Sequence, residues 1–190
     1  MAAKRTGLIA LLIVLLILLA SFGYIKGTYN QLVALDEGVK AAWAQVENQL
    51  QRRMDLIPNY VETVKAYAAH EKEVFERVTE ARAKAAGART LKERLKAEGE
   101  LSSALSRLMV VVENYPALRA NENFIRLQDE LAGTENRIAV ERRRYNEAVR
   151  AYNVKIRSFP TVIIARLLGF EPAPFFEAPK EAKKPPRVKF

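Results

Sequence analysis

The single histidine, His70, lies in the run Ala69-His70-Glu71-Lys72-Glu73. A zinc-protease helix needs a second histidine four residues on, and position 74 is valine. A di-iron bundle needs two Glu-x-x-His pairs, and here Tyr67 stands three residues before the only histidine. His70 therefore reads as a polar residue on a helix flank. No cysteine is present, which excludes a thiolate metal site, a cysteine nucleophile and a disulfide framework together. No Gly-x-Ser-x-Gly, Walker or Gly-x-Gly-x-x-Gly pattern occurs. The carboxylates nearly all have a base three or four residues away, as in Glu62–Lys65 and Glu73–Arg77, which is the spacing of pairs on a helix surface. The sequence thus offers no catalytic residues, metal ligands or cofactor site.

Two local clusters stand out. The first is Arg52-Arg53-Met54-Asp55-Leu56-Ile57-Pro58-Asn59-Tyr60. Arg53 precedes Leu56 by three and Ile57 by four, so it lies near an apolar stripe. A base there either pairs with a carboxylate of another helix or reaches out of the seam. The second runs from Tyr145-Asn146 through Val149, Tyr152-Asn153 and Ile156 to Phe159-Pro160. Seven-residue spacing puts Tyr145 over Tyr152 and Asn146 over Asn153. The tyrosines offer an apolar body with a polar tip, and the asparagines, bordering the seam, are suited to bonding across helices and fixing register.

The elements that must position these residues are helices. Trp43, Val46, Leu50 and Ile57 keep a 3-4-7 spacing, and Val61, Val64, Ala68, Phe75 and Val78 carry the stripe onward. Pro58 interrupts it. With no glycine or turn pair beside the proline, a kink in one long helix is favoured over a hairpin turn. Ala86-Gly87-Ala88 ends that stretch, and Thr90 caps a helix over about 91–114 with an inward seam at Leu101, Leu105, Leu108, Val112 and Tyr115. Tyr115-Pro116 stops it. A long helix then begins at Ala120 or Asn121 and reaches about Phe159, with Phe124, Leu127, Leu131, Ile138, Tyr145, Val149, Tyr152, Ile156 and Phe159 in phase. After Pro160 a short amphipathic piece, Val162–Leu168, ends at Gly169. No stretch shows the alternation of a half-buried strand. The fold expected is all-α: an amino-terminal transmembrane helix, then an up-and-down bundle of long antiparallel helices, four if the chain folds back at Pro58 and three if it only kinks.

From Thr6 to Ile25 there is no charged residue. Twenty helical residues rise about 30 Å, the thickness of a hydrocarbon core. Tyr24 and Lys26 suit the interface. A cleaved signal peptide would need a small-x-small site, and Leu18 and Leu19 before Ala20 serve poorly, so an uncleaved anchor is preferred. Lys4 and Arg5 before the span favour an internal amino terminus and an external domain.

The net charge is +9, yet residues 29–159 hold 22 bases and 19 acids with interspersed signs. That is a salt-bridge-laced helical surface and not a nucleic-acid face. The excess sits at the two ends. The layout expected is a short basic head at 1–5, an anchor at 6–25, a helical bundle at 29–159, a short helix at 160–170 and a Pro/Lys-rich tail at 171–190. The tail holds five of the eight prolines, with Lys180, Lys183, Lys184, Arg187 and Lys189 interleaved, and reads as an extended, poorly ordered arm. It serves either as a contact for anionic lipid or an acidic partner, or as a solvated terminus.

Several of these motifs together resemble the LemA family of bacterial membrane proteins. They are Tyr29-Asn30-x-Leu32-Val33, Trp43-x-x-Val46, Arg53-x-Asp55-Leu56-Ile57-Pro58-Asn59, Tyr67-Ala68-x-His70-Glu71, Asn123-Phe124-x-x-Leu127-Gln128-x-x-Leu131, and Tyr145-Asn146 through Tyr152-Asn153 to Phe159-Pro160, followed by Gly169-Phe170 and Phe175-Phe176-Glu177. The resemblance implies a membrane-anchored helical bundle with no family catalytic residues to carry over. It also brings an association with magnetosome membranes and with HtpX-type membrane proteases. The function expected is a non-enzymatic, single-pass scaffold of the bacterial inner membrane, contacting lipid through residues 6–25 and other envelope proteins or itself through the bundle. The alternative is an adaptor or regulator of a membrane protease. The motif residues Trp43, Arg53, Asp55, Pro58, Asn59, His70, Tyr145, Asn146, Tyr152, Asn153, Phe159 and Pro160 are expected to serve structure or interaction.

Overall fold

The computed structural model describes residues 2–176, with side chains from Leu11 onward. The chain is all-helical, with no strand among the described residues. Among the described residues six helices follow in order: α1 (Ala2–Lys65), α2 (Lys72–Gly87), α3 (Leu91–Val112), α4 (Pro116–Arg119), α5 (Glu122–Arg157) and α6 (Thr161–Leu167). The bases and prolines of the expected tail beyond Phe176 lie outside the described residues.

Packing divides the described residues into two compact units, one of 2–42 with Glu147–Ala173, the other of Trp43–Asn146 with 174–176. The second holds the larger core. Met54, Ile57, Tyr60, Val61 and Val64 of α1 join Phe75, Val78, Ala81 and Ala85 of α2, with Leu101, Leu105, Leu108 and Val112 of α3 and Phe124 and Leu131 of α5. Leu118, from the single turn of α4, fills the same core. In the first unit Thr28, Leu32 and Val39 of α1, Val149, Tyr152 and Ile156 of α5, and Thr161 and Ala165 of α6 are buried.

Pro58 does not end α1. The helix continues seven residues beyond it, so the fold-back at Pro58 does not occur. Proline supplies no N–H to the carbonyl four residues earlier, that of Met54. Arg82 of α2 supplies the donor instead, its Nε bonding the Met54 oxygen at 3.0 Å.

The turn comes later, where a continuous helix was expected. The stripe carried from Val64 to Phe75 is broken, because α1 ends at Lys65 and α2 starts at Lys72. Neither glycine nor proline occurs between them. The break is held by distant groups. The Asn121 amide donates to the Tyr67 hydroxyl at 3.0 Å, Tyr115 donates to a Glu71 carboxylate oxygen at 3.4 Å, and Ala68 is fully buried.

The remaining boundaries follow their local signals. Thr90 and Glu93 form a reciprocal capping box at the start of α3, an arrangement that contributes about 1 kcal/mol. Asn121 Oδ1 accepts from the Phe124 N–H at the start of α5. Gly169, at φ +76°, closes α6. The Phe170 N–H reaches back to the Ala165 carbonyl and the Gly169 N–H to that of Arg166, the two bonds of a Schellman end that only a residue at ease with positive φ completes without strain.

Candidate interaction site

Arg53 is fully buried on the inward face of α1. It takes the first of the two courses open to it and pairs with carboxylates of other helices. One guanidinium nitrogen bonds Glu98 of α3, which is also fully buried. The other bonds Glu135 of α5 at 2.6 Å and Ser102 of α3 at 3.0 Å. Desolvating two charges is costly, and only close pairing repays it. The repayment is incomplete, since Arg53 Nε and Glu98 Oε1 have no hydrogen-bond partner.

A second guanidinium adjoins this network. Arg142 of α5 is lowered from the usual arginine pKa, first by burial and then by the Arg53 cation, with Glu135 and Glu98 opposing. Its charge lies 4.1 Å from the centre of the Phe176 ring, a stacking that suits a poorly hydrated guanidinium.

Phe176 belongs to the extended chain after α6, and asparagines hold that chain. Asn146 Nδ2 donates to the Phe176 carbonyl at 3.0 Å, and Asn146 Oδ1 accepts from the Phe176 N–H at 2.8 Å. In the first unit Asn153 makes the same pair of bonds to Ala173, both at 2.9 Å. A primary amide presents a donor and an acceptor side by side, as a neighbouring strand would. The asparagines therefore satisfy backbone and do not bond to another helix, which corrects the register role expected for them. The start of the tail, through Phe176, is accordingly bound and not loose. Tyr145, fully buried, donates to the Pro174 carbonyl at 2.8 Å and packs edge-on against Trp43, ring centres 5.5 Å apart.

The other motif residues are placed less centrally. Asp55 is exposed and accepts from Gln51 at 2.9 Å. Pro58, Asn59 and His70 are exposed, the last in the turn before α2. Tyr152 is buried in the first unit. Phe159 departs from the stripe assigned to it: α5 ends at Arg157, the chain turns, and Phe159 is 82% exposed. Pro160 caps α6.

Four partners in the network were not singled out from sequence: Glu98, Ser102, Glu135 and Arg142. Two had a readable signal. Glu98 lies three residues before Leu101, and Glu135 lies between Leu131 and Ile138 at intervals of four and three. Each is a charge in a helix seam. The arrangement ties α1, α3 and α5 together, with both acids facing Arg53. Among the described residues no group of three or more His, Cys, Asp or Glu is placed to hold a metal ion. The broad depression between α2 and α3 is lined by paired charges, Lys84 of α2 reaching Glu80 along its own helix at 3.0 Å and Glu100 of α3 across the depression at 3.6 Å.

The bound carboxy-terminal segment, the paired arginines and the aromatic contact lie within one matched region. The LemA family pattern covers residues 42–190. The chain belongs to the LemA family. LemA-family relatives in the curated record include the magnetosome proteins MamQ 2 and MamQ 1 of Paramagnetospirillum magneticum, each 29% identical over 175 residues. The magnetosome protein MamQ of Magnetospirillum gryphiswaldense is 28% identical over 174. The matches cover 78% of this LemA-family chain and 64% of each relative, so the chain spans less than two thirds of their length.

Proposed function

We propose that this LemA-family chain is a non-enzymatic scaffold of the bacterial cell envelope, anchored in the inner membrane by residues 6–25 with its bundle outside the cytoplasm. The observation that carries the reading is in α1. From Leu11 to Ile25 its large apolar side chains are all exposed, the same helix later supplies core residues to the bundle, and it is long and apolar enough to cross a bilayer. In water so large an apolar surface would associate; in lipid it needs no further cover. The magnetosome proteins it resembles support a membrane setting.

Crosslinking in native membranes, read by mass spectrometry, tests the scaffold role. A scaffold returns itself or structural envelope proteins. Consistent recovery of a membrane protease, of the HtpX type for example, replaces the scaffold with the adaptor reading. A turnover by the purified chain that a point substitution abolishes would overturn the non-enzymatic reading.

A further inference from the structure

α6 carries apolar residues on the face that a water-exposed helix keeps polar. Thr161 and Ala165, four apart, point inward and are buried. Ile163 lies two residues from each, about 200° round the helix, and Leu167 follows it by one turn. Both face outward, Leu167 with 83% of its surface exposed. Phe159 and Leu168 add two more exposed apolar side chains at the helix ends. Of the seven residues of α6 only Arg166 is charged. A helix apolar on both faces is covered on both faces, and among the described residues protein covers only one of these.

The position of α6 says what covers the other. Thr161, at the start of α6, is buried in the same compact unit as Thr28 of α1. Just past its end, Phe170 packs edge-on against Tyr29, ring centres 6.1 Å apart. Tyr24 and Tyr29 bracket the place where the uncharged stretch of α1 gives way to Lys26, which is where a spanning helix meets the headgroups. The local charge fits that zone, for residues 148–170 hold Arg150, Lys155, Arg157 and Arg166 and no acid.

We infer that α6 is a second membrane contact. It lies in the headgroup region of the leaflet from which α1 emerges, with Phe159, Ile163 and Leu167 entering the acyl chains and Arg157 and Arg166 meeting anionic headgroups. This rests on the anchor reading of residues 6–25.

The absence of cysteine makes any introduced thiol unique. Full-length chains carrying Leu15→Cys, Ile163→Cys, Leu167→Cys or Glu76→Cys, each labelled with an environment-sensitive fluorophore, are reconstituted in vesicles of phosphatidylcholine and phosphatidylglycerol. Lipids brominated at shallow or deep acyl positions then serve as quenchers. Labels at 163 and 167 should lose emission to the shallow quencher, the label at 15 to the deep one, and the exposed label at 76 to neither. Quenching at 15 with none at 163 and 167 overturns the α6 contact and leaves the anchor standing. No quenching at 15 overturns the anchor, and the α6 contact with it. Labels at 163 and 167 shielded from both lipid quenchers and aqueous iodide would mean that protein, such as a second copy, covers this face, and the inference fails.

Discussion

Arg82 donates to the Met54 carbonyl that Pro58 leaves without its helical partner. A side chain from α2 thus completes the backbone of α1, and the proline persists inside a long helix because a neighbouring helix supplies the missing donor.

This predicts a coupling between two residues 24 positions apart in sequence. Arg82→Ala in the natural chain should cost about 1–3 kcal/mol by leaving the carbonyl unsatisfied. In a Pro58→Ala background, where the substitution restores the helical N–H, the same change should cost much less. Four-way comparison of denaturation midpoints in detergent measures the coupling. Equal losses in both backgrounds would show that Arg82 acts only through its packing.

Arg53 and Glu98 should behave as a unit. Arg53→Ala or Glu98→Ala alone leaves a buried charge uncompensated, at about 3–5 kcal/mol. The paired change Arg53→Met with Glu98→Leu removes both charges at similar volume and should cost less than either single substitution. Additive losses on the same unfolding measurement would contradict this account.

Tyr60 gives an alkaline signature. Burial pushes its hydroxyl up to about 12, against 10.0 for a free tyrosine. Below pH 10 the group is neutral whether folded or unfolded and has no effect on pH dependence. Between 10 and about 12 only the unfolded chain releases the proton, so stability falls by about 1.4 kcal/mol per pH unit. Tyr60→Phe removes that fall, and because the hydroxyl has no hydrogen-bond partner it should also raise stability at neutral pH, by about 1 kcal/mol. Burial raises Tyr145 as well, so the test is the difference between the two chains across this window. Parallel curves would mean that Tyr60 ionises normally.

Asn146 should govern the segment it holds. Asn146→Ala removes both bonds to Phe176, and Asn146→Asp keeps the acceptor but loses the donor. The alanine change should cost about 1–3 kcal/mol and speed hydrogen exchange of the Phe176 amide, while aspartate preserves more of that protection. Unchanged exchange in the alanine variant would show that Phe176 is held by its ring on Arg142 alone.

The apolar periodicities were enough to place Val46, Leu50, Leu101, Leu108, Ile138, Tyr145 and Val149 inside, because a helix repeats every 3.6 residues and its buried face must repeat with it. The cap at Thr90 and the end at Gly169 were legible for the same reason: their partners lie within a few residues. The membrane-length stretch of α1 needs only an unbroken uncharged run. What the tertiary structure decided has its cause far along the chain. The turn at 66–71 depends on Tyr115 and Asn121, the passage through Pro58 on Arg82, and the fate of Arg53 on Glu98 and Glu135. Asn146 and Asn153 could equally bond a helix or an extended chain, since an amide has the same donor and acceptor for either. Only the folding of 173–176 onto α5 chooses. Local physics sets which residues must be inside; which polar groups meet there is set by pairings that span 20 to 82 residues, and no local pattern encodes them.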